Sequence, residues 1–218
     1  MRIVSVWLPR WPILRFLAAQ TRQPSPTPID PDLPFVLSVE ASGGARISAL
    51  NQAAEAEGLA IGDSLADARA KAGFLQARDL DADADADALR RLALWTTRYA
   101  PAVCAWSEDN GADGFFLDVA GAAHLFGGEK KLMKDLARRL HRFGFPARLA
   151  IADTAGAAWA LCHFHAESIV LLSSGQEAEA LAPLPIDALR LSRDTRMALR
   201  RLGFKRIRSL IDAPRAPF

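Results

Sequence analysis

The 218-residue sequence lacks the features of a membrane protein, a secreted protein and a zinc protein. No apolar run approaches the roughly 20 residues that cross a bilayer as a helix. The first eight residues lack the long apolar core and cleavage site of a signal peptide, so we expect a cytoplasmic protein with no membrane partner. The four histidines are scattered, and the only cysteines are Cys104 and Cys162. Both have apolar neighbours, which predicts two buried free thiols.

Acidic residues are missing from the start of the chain, where none precedes Asp30. The net charge is only +2, but its distribution is uneven. Residues 79–87 carry five Asp and no base, whereas residues 190–215 carry nine Arg or Lys against two Asp. A local basic surface favours nucleic-acid binding more than the total charge does. Half of the residues are apolar, enough for the core of one large domain or two small ones.

The first part of the chain predicts a buried strand followed by an inserted module. Residues 2–8 are mostly apolar and indicate a strand, after which Pro9 and Pro12 are expected to break regular structure. Five prolines within residues 21–34 indicate an extended loop. The module continues with a strand pair joined through Gly43-Gly44 and with two short helices. We place these four elements, in order, at residues 35–39, 46–50, 51–57 and 63–72.

Residues 79–87 largely alternate between Asp and Ala, and two interpretations stay open. One is a metal-binding loop, although the segment lacks the glycine and the closing Glu of a calcium loop. The other is the acidic start of a helix or a solvated loop. The helix that follows has Leu89, Leu92, Trp95 and Tyr99 on its apolar face and is expected to end before residue 101.

The rest of the chain predicts alternating strands and helices. A helix at 128–142 shows apolar residues at i, i+4 and i+8, and Asp153 or Thr154 is expected to cap a helix that ends near Phe164. The predicted strands lie at residues 103–106, 113–119, 148–152 and 169–172. The overall order is strand, inserted module, helix, strand, strand, helix, strand, helix, strand. That order favours an α+β fold with a ferredoxin-like sheet over a doubly wound parallel sheet.

The basic C-terminal part resembles a helix-hairpin-helix module, which binds the nucleic-acid backbone. Arg193, Arg196 and Arg200 recur at i, i+3 and i+7, so they share one helical face that is either a track for phosphates or solvated surface. The DNA-binding candidates are Arg193, Arg196, Arg200, Arg201, Lys205 and Arg206. Little follows the last helix, which suggests a truncated chain.

A second basic group lies on the predicted helix 128–142 and is interpreted either as solvated surface or as a contact for a protein partner. Its members are Lys130, Lys131, Lys134, Arg138, Arg139 and Arg142.

Three segments resemble motifs of the Y-family DNA polymerases. Residues 111–119, Gly-Ala-Asp-Gly-Phe-Phe-Leu-Asp-Val, resemble the family's Ser-x-Asp-Glu-Ala-Tyr/Phe-Leu-Asp-Val motif. Residues 49–59 resemble the fingers segment Ala-x-x-Tyr-Glu-Ala-Arg-x-x-Gly-Val, and residues 151–160 resemble the palm segment Ile-x-x-Asn-Lys-x-x-Ala-Lys. The resemblance implies a palm, a small fingers insertion, a helix-hairpin-helix thumb and no little-finger domain. The implied boundaries are 1–10 plus 79–172 for the palm, 11–78 for the fingers and 173–218 for the thumb.

The resemblance also implies a two-metal site whose carboxylates are largely replaced. Two-metal nucleotidyl transfer needs ions about 3.5–4 Å apart, held mainly by carboxylates. Trp7 stands at the first carboxylate position, and indole cannot ligate a cation. Gly114 stands at the family's Glu, and Asp113 alone remains, either as a vestigial ligand or as a turn residue. We therefore expect no metal and no other cofactor.

The residues that hold the incoming triphosphate in the family are replaced as well. Gln52 and Glu55 align with the Tyr and Arg of the fingers helix, and Ala155 aligns with the phosphate-binding Lys of the palm. An isolated Glu55 would repel a triphosphate. These replacements predict that the protein is not an enzyme.

Residues 121–129 and the Asp153-Thr154 pair are most similar to family members that act in damage-induced mutagenesis. The resemblance implies a scaffold or DNA-binding subunit of a translesion-synthesis mutasome in the SOS response. The implied partners are primer-template DNA, an error-prone replicative-type DNA polymerase, a RecA-like accessory protein and a sliding clamp. No clamp-type Gln-x-x-Leu-Phe peptide precedes Phe218, so these protein contacts are expected in missing C-terminal regions.

Two other functions stay open at this point. One is an active Mg²⁺-dependent translesion polymerase that uses Asp113, Glu108 or Asp109, and Glu40 as ligands. The other is a protein-interaction module without affinity for DNA.

Overall fold

The computed structural model describes residues 1–23, 26–108 and 111–211. The strands are β1 (Ile3–Trp7), β2 (Phe35–Val39), β3 (Arg46–Leu50), β4 (Gln76–Asp79), β5 (Ala102–Glu108), β6 (Gly111–Asp118), β7 (Arg148–Ala152) and β8 (Ile169–Leu171). The helices are α1 (Trp11–Arg22), α2 (Gln52–Ala56), α3 (Leu65–Lys71), α4 (Ala82–Trp95), α5 (Glu129–Arg142), α6 (Ala155–Phe164), α7 (Glu177–Leu181), α8 (Arg193–Arg201) and α9 (Ile207–Ile211). Short 3₁₀ turns lie at Thr96–Arg98, Ala123–Phe126 and Ile186–Leu189. The predicted order of strands, inserted module and helices is confirmed.

The larger sheet has β1 at its centre and the strand order β5-β6-β1-β7-β8. β1 runs antiparallel to both neighbours, and Trp7 at its end lies opposite Gly114 of β6 and Arg148 of β7. Side chains alternate between the two faces of a strand, so Ser5 and Trp7 share one face of β1. α6 covers that face, because the imidazole of His163 on α6 stacks on the Trp7 indole with ring centroids 4.3 Å apart. These contacts place the end of β1 beneath α6.

The smaller sheet has the order β3-β2-β4, with β2 antiparallel to β3 and parallel to β4. Asn51 joins this sheet to α2, because its side-chain oxygen accepts hydrogen bonds from the backbone N–H groups of Ala54 at 2.9 Å and Phe35 at 3.0 Å. Val36 and Ile47 of the sheet and Leu65 of α3 lie in one buried core. The inserted module therefore has its own apolar core and its own N-cap.

The chain divides into two compact units. The first contains residues 1–8, 92–106 and the described residues from 114 onward, and it includes most of the five-stranded sheet. The second contains the described residues of 9–91 and 107–113, and it includes the three-stranded sheet. Within the ranges described above, no helix is long and apolar enough to cross a membrane.

The expected break of regular structure occurs at Pro9, which lies in a turn between β1 and α1, but it is wrong at Pro12. α1 begins at Trp11, and Pro12 lies in its first turn, where a missing backbone N–H removes no helical hydrogen bond. The segment 79–87 enters α4 at Ala82, as the acidic-helix interpretation expected. Within it, the Asp85 carboxylate is ion-paired with Arg15 at 2.6 Å and is almost buried. The acidic run is therefore the start of a helix.

The expectation of two buried thiols is correct for only one cysteine. Cys162 is buried, and its burial raises the pKa of the thiol to about 12. Cys104, which lies on the edge strand β5, is exposed. Thr154, rather than Asp153, caps α6 and accepts a hydrogen bond from the backbone N–H of Ala157.

Candidate functional site

The end of β1 and the middle of β6 bring together two positions that carry carboxylates in the Y-family polymerases. Trp7 lies directly opposite Gly114 in the antiparallel register, and Asp113 immediately precedes Gly114. The antiparallel register therefore makes Trp7 and Gly114 direct neighbours in the sheet.

Gly114 is buried, and its surroundings leave no room for a side chain. A Cβ atom at this position would lie 2.3 Å from Cζ2 and 2.6 Å from Cε2 of Trp106. It would also lie 2.4 Å from the carbonyl oxygen of Val6. Non-bonded carbon atoms attract best at about 3.5–4.0 Å, so every one of these contacts is a clash. The indole of Trp106 thus occupies the volume that a glutamate side chain would need.

Trp7 belongs to an aromatic cluster that we define as Trp7, Trp106, Trp159 and His163. The imidazole of His163 stacks on Trp7 at 4.3 Å and on Trp159 at 4.1 Å between ring centroids. Trp106 meets Trp159 edge-on at 6.3 Å. Such stacked and edge-on pairs are favourable beyond the apolar area that they bury. The cluster therefore fills one end of the sheet with rings.

His163 is electrically neutral inside this cluster. The pKa of its imidazole is lowered to about 4, first by burial and also by the cationic groups of Arg148 and Arg190. Nδ1 lies 2.9 Å from the carbonyl oxygen of Trp159, which can only accept, so Nδ1 carries the proton. The indoles offer only N–H donors, and those of Trp106 and Trp159 have no hydrogen-bond partner among the described residues. A cluster of this composition does not fit a magnesium ion.

The part of the chain that the structure describes holds no group of metal ligands elsewhere either. Over residues 1–23, 26–108 and 111–211, no three His, Cys, Asp or Glu side chains are grouped as metal ligands. Of the ligands considered for an active polymerase, Asp109 and the side chain of Glu108 lie outside the described residues. Glu40 is exposed just after β2.

The replaced triphosphate positions lie on the two helices that the motifs predicted. Gln52 and Glu55 belong to α2, and Ala155 is the first residue of α6. Glu55 forms an ion pair with Arg10, and both side chains are partly exposed. The repulsion expected of an isolated Glu55 is therefore offset by a neighbouring cation. The side chain of Ala155 has no donor to offer a phosphate.

Arg2 forms an ion-pair network that the sequence analysis missed. Its guanidinium binds both carboxylate oxygens of Glu129 at 2.7 Å and one oxygen of Asp153 at 2.9 Å. It also donates to the carbonyl oxygen of Leu172 at 2.8 Å. These contacts raise the pKa of Arg2 and lower that of Asp153. Glu129 lies in the first turn of α5, and its carboxylate serves this structural network.

The six DNA-binding candidates lie on α8 and on the segment that precedes α9. Two of them are engaged within the chain, because Arg200 binds both carboxylate oxygens of Asp187 at 2.7 and 2.9 Å and Arg196 lies 3.4 Å from one of them. The other four have exposed side chains, and these are Arg193, Arg201, Lys205 and Arg206. The basic surface is therefore present, with part of its charge compensated by Asp187.

Sequence reasoning also missed three members of the aromatic cluster. Trp159 and His163 are four residues apart, a spacing that places two side chains on one helical face. That signal was available, but nothing in the sequence indicated that Trp106 would cover Gly114.

Comparisons with known proteins give matches to a family and to curated relatives. Residues 19–163 match the model of the "impB/mucB/samB family". The chain is 45% identical over 159 residues to "Protein ImuB" of Caulobacter vibrioides strain NA1000 / CB15N, a match that covers 73% of this chain and 34% of the relative. The same values hold for ImuB of Caulobacter vibrioides strain ATCC 19089 / CIP 103742 / CB 15. The chain thus spans about a third of the length of the curated relatives that it matches.

Two similar solved structures are those of DinB and of Dbh DNA polymerase. The structure of DinB from Sulfolobus solfataricus superposes with a TM-score of 0.72 at 15% identity, covering 98% of this chain and 61% of that chain. The insertion ternary complex of Dbh DNA polymerase gives a TM-score of 0.76 at 14% identity and the same coverage. These identities establish the fold alone, namely the α+β core of a Y-family polymerase. Since the family match extends over more than half of the chain, this chain belongs to the impB/mucB/samB family of Y-family polymerase-like proteins.

Proposed function

We propose that this protein is a non-catalytic member of its family that acts as a DNA-binding scaffold subunit of a translesion-synthesis mutasome in damage-induced mutagenesis. The observation that carries this proposal is the position of the Trp106 indole over Gly114, where a carboxylate would have to project. The 45% identity to ImuB supports the assignment to mutagenesis rather than to replication.

The chemical argument concerns both metal ions. Two divalent ions held side by side need several oxygen ligands that converge on one small volume. Asp113 is the one remaining carboxylate of the motif, because Trp7 and Gly114 replace the other two. The aromatic cluster supplies N–H donors and ring faces to that region, and neither can replace a carboxylate oxygen. Catalysis by the two-metal route is therefore not expected.

The division into polymerase domains belongs to the same proposal. Residues 1–10 and 79–172 would form the palm, residues 11–78 the fingers and residues 173–218 the thumb. The single five-stranded sheet supports a palm, and the separate three-stranded sheet with its own core supports a fingers domain.

DNA binding is proposed to use the basic thumb. Exposed Arg and Lys side chains on α8 and before α9 can contact successive phosphates without reading the bases. The similar structures include a ternary complex of a DNA polymerase, which supports primer-template DNA as the ligand. An error-prone replicative-type polymerase, a RecA-like accessory protein and a sliding clamp are proposed as partners. Their contacts are assigned to the part of the longer relatives that this chain does not span.

Primer extension tests the loss of catalysis. The purified protein is incubated with primer-template DNA, all four nucleotides and either Mg²⁺ or Mn²⁺, beside an active family member as a positive control. We expect no extension of the primer with either metal. Incorporation that Asp113→Ala abolishes would show an active polymerase and would refute the proposal.

Binding to DNA is tested separately, so that a failure of the DNA-binding proposal can be distinguished from a failure of the proposed loss of catalysis. We expect the affinity for primer-template DNA to fall steeply as salt rises, because bound phosphates release counterions. Absence of binding at low salt, or an affinity that salt does not change, would instead indicate a protein-interaction module. In that case the proposed loss of catalysis would still hold, and the proposed binding to DNA would be refuted.

A further inference from the structure

α5 and the 3₁₀ turn Ala123–Phe126 border an open depression of about 500 Å³, which we call the basic depression. Its walls are formed by Phe126, Lys131, Lys134, Asp135, Arg138 and Arg139. It shares no residue with the aromatic cluster or with the basic thumb. Its volume lies within the range of about 300–1,000 Å³ that is usual for ligand sites.

The basic depression has a strong excess of positive charge. Four cationic side chains face a single carboxylate, that of Asp135. Arg138 and Arg139 both bind this carboxylate. Lys131 and Lys134 are exposed, and neither has an ion pair among the described residues. An anionic ligand would therefore find two uncompensated ammonium groups.

Asp135 holds the two guanidinium groups in place and does not act as a binding group itself. The Tyr99 hydroxyl donates to its Oδ2 at 2.6 Å, and Nε of Arg139 donates to the same oxygen at 2.8 Å. These hydrogen bonds lower the pKa of Asp135 to about 2, so it stays ionised at neutral pH. Side chains that are already oriented lose little conformational freedom when a ligand arrives.

One wall of the basic depression is apolar. The ring of Phe126 rests on Tyr99 with centroids 5.0 Å apart, and Tyr99 is buried. The preceding residue, Leu125, is 75% exposed. A ligand with charge alone would leave this apolar surface in water, whereas a ligand that also has an apolar group would cover it.

We propose that the basic depression is a docking site for an acidic peptide segment of a partner protein. Carboxylates of the segment would bind Lys131, Lys134 and the two arginines, and a Leu or Phe of the segment would lie against Phe126. The size of the depression favours a few side chains over a DNA duplex, which is a broad rigid rod. Charge complementarity and the apolar wall together select this occupant.

The probe is a fluorescein-labelled dodecapeptide of Glu and Asp with one central Leu-Phe pair, measured by fluorescence anisotropy. Three labelled comparison probes separate the contribution of the apolar pair, that of the negative charges and that of the peptide backbone. One has Ser-Ser in place of Leu-Phe, one has Gln and Asn in place of the acids, and one is an oligothymidylate of similar length. We expect the wild-type protein to bind the first probe most tightly and the uncharged probe least.

A matched pair of charge reversals tests the location. The double variant Lys131→Glu with Lys134→Glu reverses the charge of two residues that line the depression. The double variant Lys130→Glu with Arg142→Glu reverses the charge of two exposed residues of α5 that do not line it. We expect the first pair to weaken peptide binding at least ~10-fold and the second pair to change it less than ~2-fold. Phe126→Ala should remove the preference for Leu-Phe over Ser-Ser. Thermal unfolding of each variant verifies that it is folded.

Three results would overturn the proposal. The first is a wild-type protein that does not bind the Leu-Phe peptide. The second is an equal loss of binding in both pairs of charge reversals, which would indicate general electrostatic attraction. The third is tighter binding of oligothymidylate that only the lining pair abolishes, which would make the basic depression a nucleic-acid site.

Discussion

The indole of Trp106 lies over Gly114, with its Cζ2 atom 2.3 Å from the position of a Cβ on that residue. The carbonyl oxygen of Val6 approaches the same position to 2.4 Å from the neighbouring strand. Side chain and backbone therefore exclude a carboxylate at residue 114 independently of each other. Substitution of Gly114 by Glu would require β1 and β6 to move apart, and not only a repacking of the aromatic cluster.

This contact predicts that removal of the Trp106 indole partly relieves the destabilisation caused by a side chain at residue 114. Gly114→Ala should lower the free energy of unfolding by about 2–4 kcal/mol, because the added methyl group clashes with two neighbours. The same substitution in a Trp106→Ala background should cost less but still destabilise, since the Val6 oxygen remains. Urea denaturation of the four proteins of this cycle measures both costs.

Gly156→Ala is the matched control, because a Cβ on this helical glycine would meet nothing within 4 Å. It should be neutral or stabilise the protein by up to about 1 kcal/mol. An unchanged cost of Gly114→Ala after removal of the Trp106 indole would contradict the assigned contact.

The stability of the protein should fall on mild acidification through His163. The pKa of this imidazole is lowered from 6.5 to about 4, so between these pH values the unfolded chain binds the proton more readily than the folded chain. The free energy of unfolding should therefore decrease as the pH falls from 6.5 to 4, by up to about 3 kcal/mol. Below pH 4 both states are protonated, and this contribution stays constant.

His163→Phe keeps a ring between Trp7 and Trp159 and removes the titrating group. Urea denaturation from pH 7 to pH 4 should show a smaller decrease in stability for this variant. His124→Gln, which removes an exposed histidine, should keep the wild-type pH profile. Parallel profiles for wild type and His163→Phe would refute the neutral, buried imidazole.

Arg2→Met should destabilise the protein, because it removes the shared partner of Glu129 and Asp153. The three side chains are 17–32% exposed, so we expect a loss of about 2 kcal/mol rather than the larger cost of breaking a fully buried pair. Arg2→Lys should recover only part of it, since an ammonium group cannot bind one carboxylate with two parallel hydrogen bonds and still reach the second. Thermal unfolding measures both variants, and an Arg2→Lys protein as stable as wild type would contradict the bidentate geometry.

Asp187→Asn should strengthen DNA binding, because it releases Arg196 and Arg200 from their carboxylate partner. The affinity should rise at low salt. The slope of the logarithm of the binding constant against the logarithm of the salt concentration should become steeper by the equivalent of up to about two phosphate contacts. Asp194→Asn makes the same change of charge at an exposed position of α8 and is the matched control. Equal effects of the two substitutions in a salt series would show that net charge alone matters.

Much of the fold was predictable because its signals are local. The apolar strand β1, the hairpin of β2 and β3 and the apolar stripe of α5 depend on side-chain periodicity within a few residues. The break expected at Pro12 was wrong, because a proline in the first turn lacks only an N–H that the helix does not use. β4 has only four residues, and its pairing with β2 is parallel and distant in sequence, so no local pattern indicated it.

The exposure of Cys104 could not be predicted from its apolar neighbours in the sequence. It lies on β5 at the edge of the sheet, and the order of strands is a property of the whole chain. The engagement of Arg196 and Arg200 is similar, because their spacing on α8 says nothing about an acceptor in the preceding 3₁₀ turn.

The sequence by itself determined which chemical groups are available, since an indole at residue 7 and a hydrogen atom at residue 114 provide no oxygen ligands wherever the chain places them. It also determined the helices and strands whose periodicity is local. Only the tertiary structure decided what fills the space of the missing carboxylates, because the packing of side chains on neighbouring strands sets Trp106 over Gly114 and His163 comes from α6, far along the chain. Residue type is a property of each position in the sequence, whereas the space available to a side chain depends on the residues that folding brings next to it.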